Sequence, residues 1–252
     1  IVMEEISAAC ASCGVIMSVN NSLFCDPVYK FGTPEQKTNV LTPVARGEKL
    51  GCFGLTEPMS GSDAQTMVTS GTKTEGGWLL NGAKNWITNG PHADYILVFA
   101  VTERDATSGK VKHTAFLVER GTPGFTQNAP DHKLGIHAAH SCTVFFENCK
   151  VPDSAVVGKV GEGFKVAMAT LDGGRIGIAS QAIGIARAAL TSAVAYSKER
   201  KSFGVPISEH QAIQFMLADM TVELDAARLL AWRAALMKDK GVRHSLESAE
   251  AK

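Results

Sequence analysis

Two segments of the chain combine residue types able to hold a planar or phosphorylated ligand. The first is Gly51-Cys52-Phe53-Gly54-Leu55-Thr56-Glu57-Pro58-Met59-Ser60-Gly61-Ser62-Asp63-Ala64. A β-prone run leaves here into a loop of Gly, Ser and Thr, whose free backbone N–H groups and hydroxyls suit a ring edge or a diphosphate. It is not a P-loop, because no Gly-Lys-Ser/Thr follows, and no G-x-G-x-x-G stands in a βαβ setting. Composition alone favours a polar turn between strands, since such loops are common. The second segment is Asn81-Gly82-Ala83-Lys84-Asn85-Trp86-Ile87-Thr88-Asn89-Gly90. Asn-Gly at each end signals a turn, with a short strand between. Trp86 beside the Thr88 hydroxyl could flank a planar cofactor, or serve as a core residue at a strand end.

Other reactive side chains read as structural. Cys10 and Cys13 form a C-x-x-C, but no second pair follows at zinc-site spacing and no βαβ unit surrounds them, so core packing in a helix is expected. The six cysteines are expected to be reduced, in the mitochondrial matrix or the bacterial cytoplasm. Glu57 and Glu162 are the carboxylates weighed for base chemistry and are read as loop or strand-end residues. The 25 basic and 25 acidic residues balance, so no broad field attracts nucleic acid or an anionic membrane. Hydrophobic residues make up 45% of the chain and charged residues 20%, ordinary for a globular protein. No apolar run long enough for a membrane span is expected.

The elements that must position these residues fall into three regions. Residues 1–48 look helical: Ile1–Val19 lacks proline, Asn20–Pro27 interrupts, and Thr33-Pro34-Glu35-Gln36 starts a new helix with a capping box. That helix should run to about Arg46, with Gly47 as its stop. In residues 49–159, β-prone runs at 51–56, 64–72, 77–88, 94–102, 112–119 and 141–147 are separated by Gly, Pro, Asn and Asp clusters, which predicts an antiparallel barrel or sandwich. Residues 160–252 return to three- and four-residue spacing (Ile176, Ala179, Ile183, Ala186, Leu190, Val194), then break at Phe203-Gly204-Val205-Pro206. A second helix, opened by Ser208 with Gln211 at the capping-box position, gives an antiparallel bundle. The fold class is therefore α+β, with a helical N-terminal part, a middle β-domain and an incomplete C-terminal helix bundle. Both ends are expected to be truncated.

Taken together, the motifs resemble the acyl-CoA dehydrogenase family. Thr56-Glu57-Pro58 with Gly61-Ser62-Asp63, then Asn81-Gly82 through Trp86-Ile87-Thr88-Asn89-Gly90, carry most of the likeness. It continues through Phe116-Leu117-Val118, Thr122-Pro123-Gly124, Lys133-Leu134-Gly135-Ile136, Phe146–Pro152, Gly161–Lys165, Leu171-Asp172-Gly173-Gly174-Arg175 and Arg200–Gly204, nearly the whole chain, and it is closest to short-chain, butyryl-type members. The resemblance implies FAD, lined by Phe53, Leu55, Thr56, Gly61 and Ser62, with Trp86 over the ring and Ile87 and Thr88 beside N5. It implies that Ser62, Asp172, Gly173, Gly174 and Arg175 contact an acyl-CoA substrate. It implies further that Arg200 and Gln211 reach the FAD of a neighbouring subunit in a homotetramer reoxidised by electron-transferring flavoprotein. From the residues alone, Asp172 and Arg175 are an i,i+3 ion pair and Gln211 a capping residue. The Glu-Gly-Thr segment that carries the family's base is not found; it is expected downstream of Lys252, and Gly174 stands at the alternative site used by some members. Met59 replaces the family's usual Gly. An acyl-CoA oxidase, a flavin monooxygenase of related fold, and a truncated non-catalytic assembly partner are the alternatives.

Overall fold

The computed structural model describes residues 1–105, 107 and 109–252. It divides into two compact units, one of residues Ile16–Leu171 and one of Ile1–Val15 with Asp172–Lys252.

The unit of residues 16–171 opens with helix and continues as sheet. Helix α1 (Val2–Ala9) and the first turns of α2 (Ala11–Ser18) belong to the other unit. From Ser18 the backbone stays helical: a π-helical stretch, Val19–Cys25, runs directly into α3 (Asp26–Phe31). Asn20–Pro27 thus continues the helix, contrary to the expected interruption. Pro27 sits at the start of α3, directly after the π-helical stretch. The Asn20 side chain accepts a hydrogen bond from the Gly51 N–H at 2.9 Å. The Thr33 capping box of α4 (Pro34–Gln36) forms as predicted, and the chain stays helical through α5 (Thr42–Ala45) to Gly47, at φ +75°.

Among the described residues eight strands follow: β1 (Gly51–Gly54), β2 (Ser70–Thr74), β3 (Gly77–Thr88), β4 (Tyr95–Arg104), β5 (Val111–Glu119), β6 (Phe125–Gln127), β7 (Ser141–Pro152) and β8 (Val156–Val157). The sheet order is β6-β7-β3-β2-β4-β5-β8, with β1 paired to β4. Most pairs are antiparallel, but β1 and β2 both run parallel to β4. The sheet is therefore mixed, not purely antiparallel. β1 reaches β4 by a long excursion through β2 and β3, and that length of chain is what a parallel pairing requires. The expected run at 64–72 splits, with a short 3₁₀ turn at Ala64–Thr66 before the strand begins at Ser70.

β4 shows how the sheet buries both faces. Ile96, Val98 and Ala100 enter one apolar cluster with Leu80, Phe116 and Val144, while Leu97 and Phe99 enter a second with Phe24, Val28 and Val157. Alternation at period two sends successive side chains to opposite sides. Each fully buried Phe or Leu stabilises the fold by about 1.5–3 kcal/mol.

The unit of residues 1–15 and 172–252 is helical. Helix α6 (Gly163–Glu199) contributes its stretch from Asp172 onward. The β9–β10 hairpin (Lys201–Ser202 and Val205–Pro206) connects it to α7 (Gln211–Asp239), and α8 (Ser245–Ala251) follows. Gly184 of α6 passes so close to α1 that an added Cβ would lie 2.4 Å from the Glu4 carbonyl oxygen. At that approach buried Glu4 meets two guanidiniums: Arg228 Nη2 at 3.0 Å and Arg187 Nε at 3.4 Å. Helix α6 contains an 18-residue window of mean hydropathy 1.3, of which 22% is buried. Among the described residues, one helix is thus long and apolar enough, by length and composition, to cross a bilayer. Length and composition alone are weak evidence for a span, because the core helix of a soluble protein passes the same test.

Candidate functional site

The two segments singled out from the sequence lie side by side. The Asn85 N–H donates to the Thr56 carbonyl at 2.8 Å. One residue back, Lys84 Nζ reaches across to the Leu55 carbonyl at 3.1 Å and to Glu57 Oε1 at 2.7 Å. Lys84 is fully buried and Glu57 nearly so. Glu57 is further held by the N–H groups of Val68 at 2.6 Å and Thr69 at 3.0 Å. Burial pushes the Lys84 ammonium down to about 8, partly offset by the Glu57 charge. For Glu57, burial alone would raise the carboxyl, but the Lys84 charge and the hydrogen bonds hold it below the usual range. Glu57 is therefore a structural carboxylate, as its position in the loop suggested.

The β3 register explains why Lys84 turns in and Trp86 turns out. Along β3, Trp78, Leu80 and Lys84 are buried. Strict two-residue alternation would bury Trp86 as well. The pairing with β7 shifts register between Lys84 and Ile87, and Trp86 adopts φ +61°. Trp86 is consequently 66% exposed while Ile87 drops to 2%. A bulky residue in the left-handed region costs about 1–2 kcal/mol, and strain of this kind concentrates at functional sites. The Asn81-Gly82 pair, read as a turn, instead lies inside the 12-residue strand at an earlier register shift. Gly82, at φ +143°, passes so close to Thr69 that a Cβ would lie 2.7 Å from the Thr69 Cα.

The remaining residues of this face are solvent-accessible or point to the core. Thr56 and Thr88 are half-buried, Gly61 and Ser62 exposed, and a Cβ at Gly61 would meet open space. Phe53 is half-buried against Phe99, at 5.1 Å between ring centroids. Leu55 and Ile87 are core side chains, so only their backbone faces the site. Asn85 Oδ1 is buried and has no hydrogen-bond partner among the described residues. An exposed indole, accessible hydroxyls and an unpaired buried acceptor fit a large planar ligand carrying hydrogen-bond donors.

The helical unit carries the other predicted residues in two places. Asp172, Gly173, Gly174 and Arg175 form a turn of α6, with both glycines buried and the Asp172–Arg175 ion pair closed at 2.5 Å. Ser245 donates to Asp172 at 2.6 Å. Arg200 follows the C-terminus of α6 and Gln211 begins α7, both exposed at the end that the hairpin bridges. No capping box forms at Gln211: a 3₁₀ turn occupies Ile207–Glu209, His210 is the N-cap, and its side chain makes no cap bond. The His210 ring instead pairs with the Ser202 hydroxyl at 2.8 Å. Cys10 and Cys13 depart from expectation too, since both thiols are exposed rather than packed in the core. The sequence reading missed the partner of Lys84, although an inward-facing lysine between Leu80 and Ile87 was the signal that one had to exist.

Known proteins match the chain along nearly its whole length. The acyl-CoA dehydrogenase N-terminal domain matches residues 1–48, the middle domain residues 52–149 and the C-terminal domain residues 161–252. The mitochondrial short-chain specific acyl-CoA dehydrogenase of Mus musculus is 50% identical over 252 residues, covering 100% of this chain and 61% of the relative. The short-chain specific enzyme of Megasphaera elsdenii is 46% identical, covering 99% of this chain and 65% of the relative. The butyryl-CoA dehydrogenase structure from Megasphaera elsdenii superposes with a TM-score of 0.95 at 46% identity, over 99% of this chain and 65% of that one. A structure described as an electron transferring flavoprotein of Acidaminococcus fermentans matches with a TM-score of 0.95 at 47% identity, over 99% of this chain and 65% of that one. The chain thus spans under two thirds of the length of these relatives. With all three domains of one family matched in order along it, the chain belongs to the acyl-CoA dehydrogenase family.

Proposed function

We propose that the protein catalyses α,β-dehydrogenation of a short-chain acyl-CoA to the trans-2-enoyl-CoA, using FAD and passing electrons to electron-transferring flavoprotein. The observation that carries the reading is the junction of Thr56 with Asn85, which sets an outward-turned Trp86 beside an accessible loop of hydroxyls and N–H groups. FAD, when bound, supplies the hydride acceptor. The chain's own residues bind and orient. Trp86 covers the ring, the Thr56 and Thr88 hydroxyls and the backbone of Phe53, Leu55 and Ile87 hold its edge, and Gly61 and Ser62 leave room for the diphosphate. Ser62 and the Asp172–Arg175 turn hold the CoA portion, Gly173 and Gly174 keeping that turn slim. Arg200 and Gln211 reach the cofactor of a second subunit, a guanidinium suiting a diphosphate. Glu57 is committed to Lys84 and to two backbone N–H groups, so it is not the base that removes the α-proton, and no residue of the chain is assigned that role.

The same reading carries the domain limits 1–48, 49–159 and 160–252, a homotetramer, and the mitochondrial matrix, with the bacterial cytoplasm raised as the alternative by the bacterial relatives. Apolar side chains left exposed on α7, among them Phe215, Met216, Leu229 and Trp232, support assembly. Anaerobic titration of the full-length flavoprotein with butyryl-CoA, octanoyl-CoA and isovaleryl-CoA tests the proposal. Bleaching of the flavin band at the lowest concentration by butyryl-CoA is expected; no bleaching by any thioester would sink it.

A further inference from the structure

Cys10 occupies the junction of α1 and α2 with extended backbone (φ −155°, ψ 109°). Its carbonyl accepts the first hydrogen bond of α2, from Gly14 N–H at 3.1 Å, so Cys10 is the N-cap and Cys13 lies in the first turn. Residues three apart across a helical turn have Cα atoms about 5 Å apart, inside the roughly 4.4–6.8 Å that a disulfide spans. Both thiols are exposed, whereas Cys52, Cys142 and Cys149 are buried and Cys25 is half-buried. The chemistry of the pair is asymmetric. The Cys13 N–H, the Cys13 thiol and the Ser12 N–H all donate to the Cys10 sulfur, which lowers the Cys10 thiol from its ordinary value. That same contact raises Cys13. Burial pushes Cys25, Cys142 and Cys149 up to about 11, so the other thiols are inert by comparison.

We propose that Cys10 and Cys13 form a reversible dithiol–disulfide couple, with Cys10 as the attacking thiol and Cys13 as the resolving one, oxidised by a low-molecular-weight disulfide such as glutathione disulfide. The Cys10 thiolate attacks one glutathione sulfur, forming a Cys10–glutathione mixed disulfide and releasing one glutathione thiolate. Cys13 then gives its proton to solvent and attacks the Cys10 sulfur, expelling the second glutathione. Two protein thiols are oxidised to one disulfide, and one glutathione disulfide is reduced to two thiols. In a reducing compartment such a bridge is transient, the usual pattern for a redox-responsive pair. The bridge would staple the bend between α1 and α2. This inference does not depend on the proposed dehydrogenase activity.

The test uses the full-length protein in glutathione buffers of graded ratio, quenched with acid, alkylated and mapped by peptide mass. Under oxidising buffer a peptide carrying both residues should lose two hydrogen atoms, while Cys52, Cys142 and Cys149 stay thiols. Cys13→Ser should stop at a glutathione adduct on Cys10, and Cys10→Ser should form no bridge within that peptide. In the unmutated protein at pH 7, iodoacetamide should label Cys10 faster than Cys13. Two free thiols at these positions under oxidising buffer, an adduct found first on Cys13, or equal labelling rates would overturn the proposal.

Discussion

Replacing Lys84 with methionine tests the scaffold under the site most directly. Methionine keeps the length of the stem, so the cavity contribution is small, and the change isolates the ammonium. At 2.7 Å from Glu57 Oε1 and an effective dielectric constant near 20, the pair attraction is on the order of 6 kcal/mol. Most of it is offset by the desolvation of two buried charges. What the single substitution exposes is the uncompensated carboxylate, still held by the Val68 and Thr69 N–H groups but stripped of its counter-charge. Lys84→Met should therefore cost about 3–5 kcal/mol, which for a chain of this size lowers Tm by about 6–20 °C. Adding Glu57→Gln should recover part of the loss, because a neutral amide needs no counter-charge. The sign with pH is also fixed. In the variant, the folded-state Glu57 carboxyl rises above its unfolded value, so the stability gap to the unmutated protein should narrow as pH falls from 7 towards 5. Urea denaturation of the three proteins across that range is the assay. A cost below about 1 kcal/mol, a double variant worse than the single one, or a gap that widens in acid would refute the reasoning.

The other expectations concern the acid limb, the indole, the helix junction and the cap. In the unmutated protein Glu57 is held below the usual carboxylate range, so its contribution is complete above the unfolded value of about 4.3 and is lost as pH falls through the folded one; Glu57→Gln should flatten that limb in acid denaturation. Trp86→Gly should leave the thermal stability of the apoprotein unchanged or higher, since it relieves the strain at φ +61°. It should also weaken FAD binding about 2- to 13-fold, the worth of one aromatic contact of about 0.5–1.5 kcal/mol, read by flavin fluorescence. Arg228→Ala should cost about 1–3 kcal/mol, limited because Arg187 still faces Glu4, and the Arg187→Ala, Arg228→Ala pair should cost more than the sum, in a denaturation cycle. Gln36 Nε2 donates to the Ser154 and Val156 carbonyls at 2.8 and 2.9 Å. Gln36→Glu should therefore destabilise more than Gln36→Ala despite keeping the cap, because it turns a carboxylate toward two acceptors; thermal melts rank the two.

The helices and most strands were legible because their signals are local. The Thr33 capping box, the Gly47 stop and the 77–88 strand all depend on residues a few positions apart. What escaped depended on distant partners. Asn20–Pro27 has turn-forming residues, yet the chain stays helical where Phe24 and Val28 bury fully against the sheet and Asn20 bonds Gly51. Asn81-Gly82 is a turn signal by type, but Thr69 passing close makes Gly82 a bulge within β3. The parallel course of β1 along β4 leaves no trace in either strand's own pattern. At the proposed site, residue type and the resemblance are what single out Thr56 and Trp86. Which way Trp86 faces followed from a register shift set by β7, a strand that begins 53 residues after β3 ends. Cys10 and Cys13 were misplaced for the converse reason: a small-residue helical stretch implies burial, but the bend at Cys10 turns both thiols out.

That register shift also explains why the signature motif mixes charged and aromatic residues over so few positions. Lys84 and Trp86 have the same parity in an unbroken strand and would both point inward, where one needs a counter-charge and the other a wide apolar space. The slip between them separates the roles. Lys84 turns in, neutralises Glu57 and anchors the Leu55 carbonyl; Trp86 turns out beside the loop that this pair fixes. The left-handed backbone of Trp86 holds because its neighbours on both sides are pinned, Asn85 to Thr56 and Ile87 in the core. The charged half of the motif thus holds the aromatic half in place, and ligand binding should weaken together with stability when Lys84 is replaced, but with no loss of stability when Trp86 is.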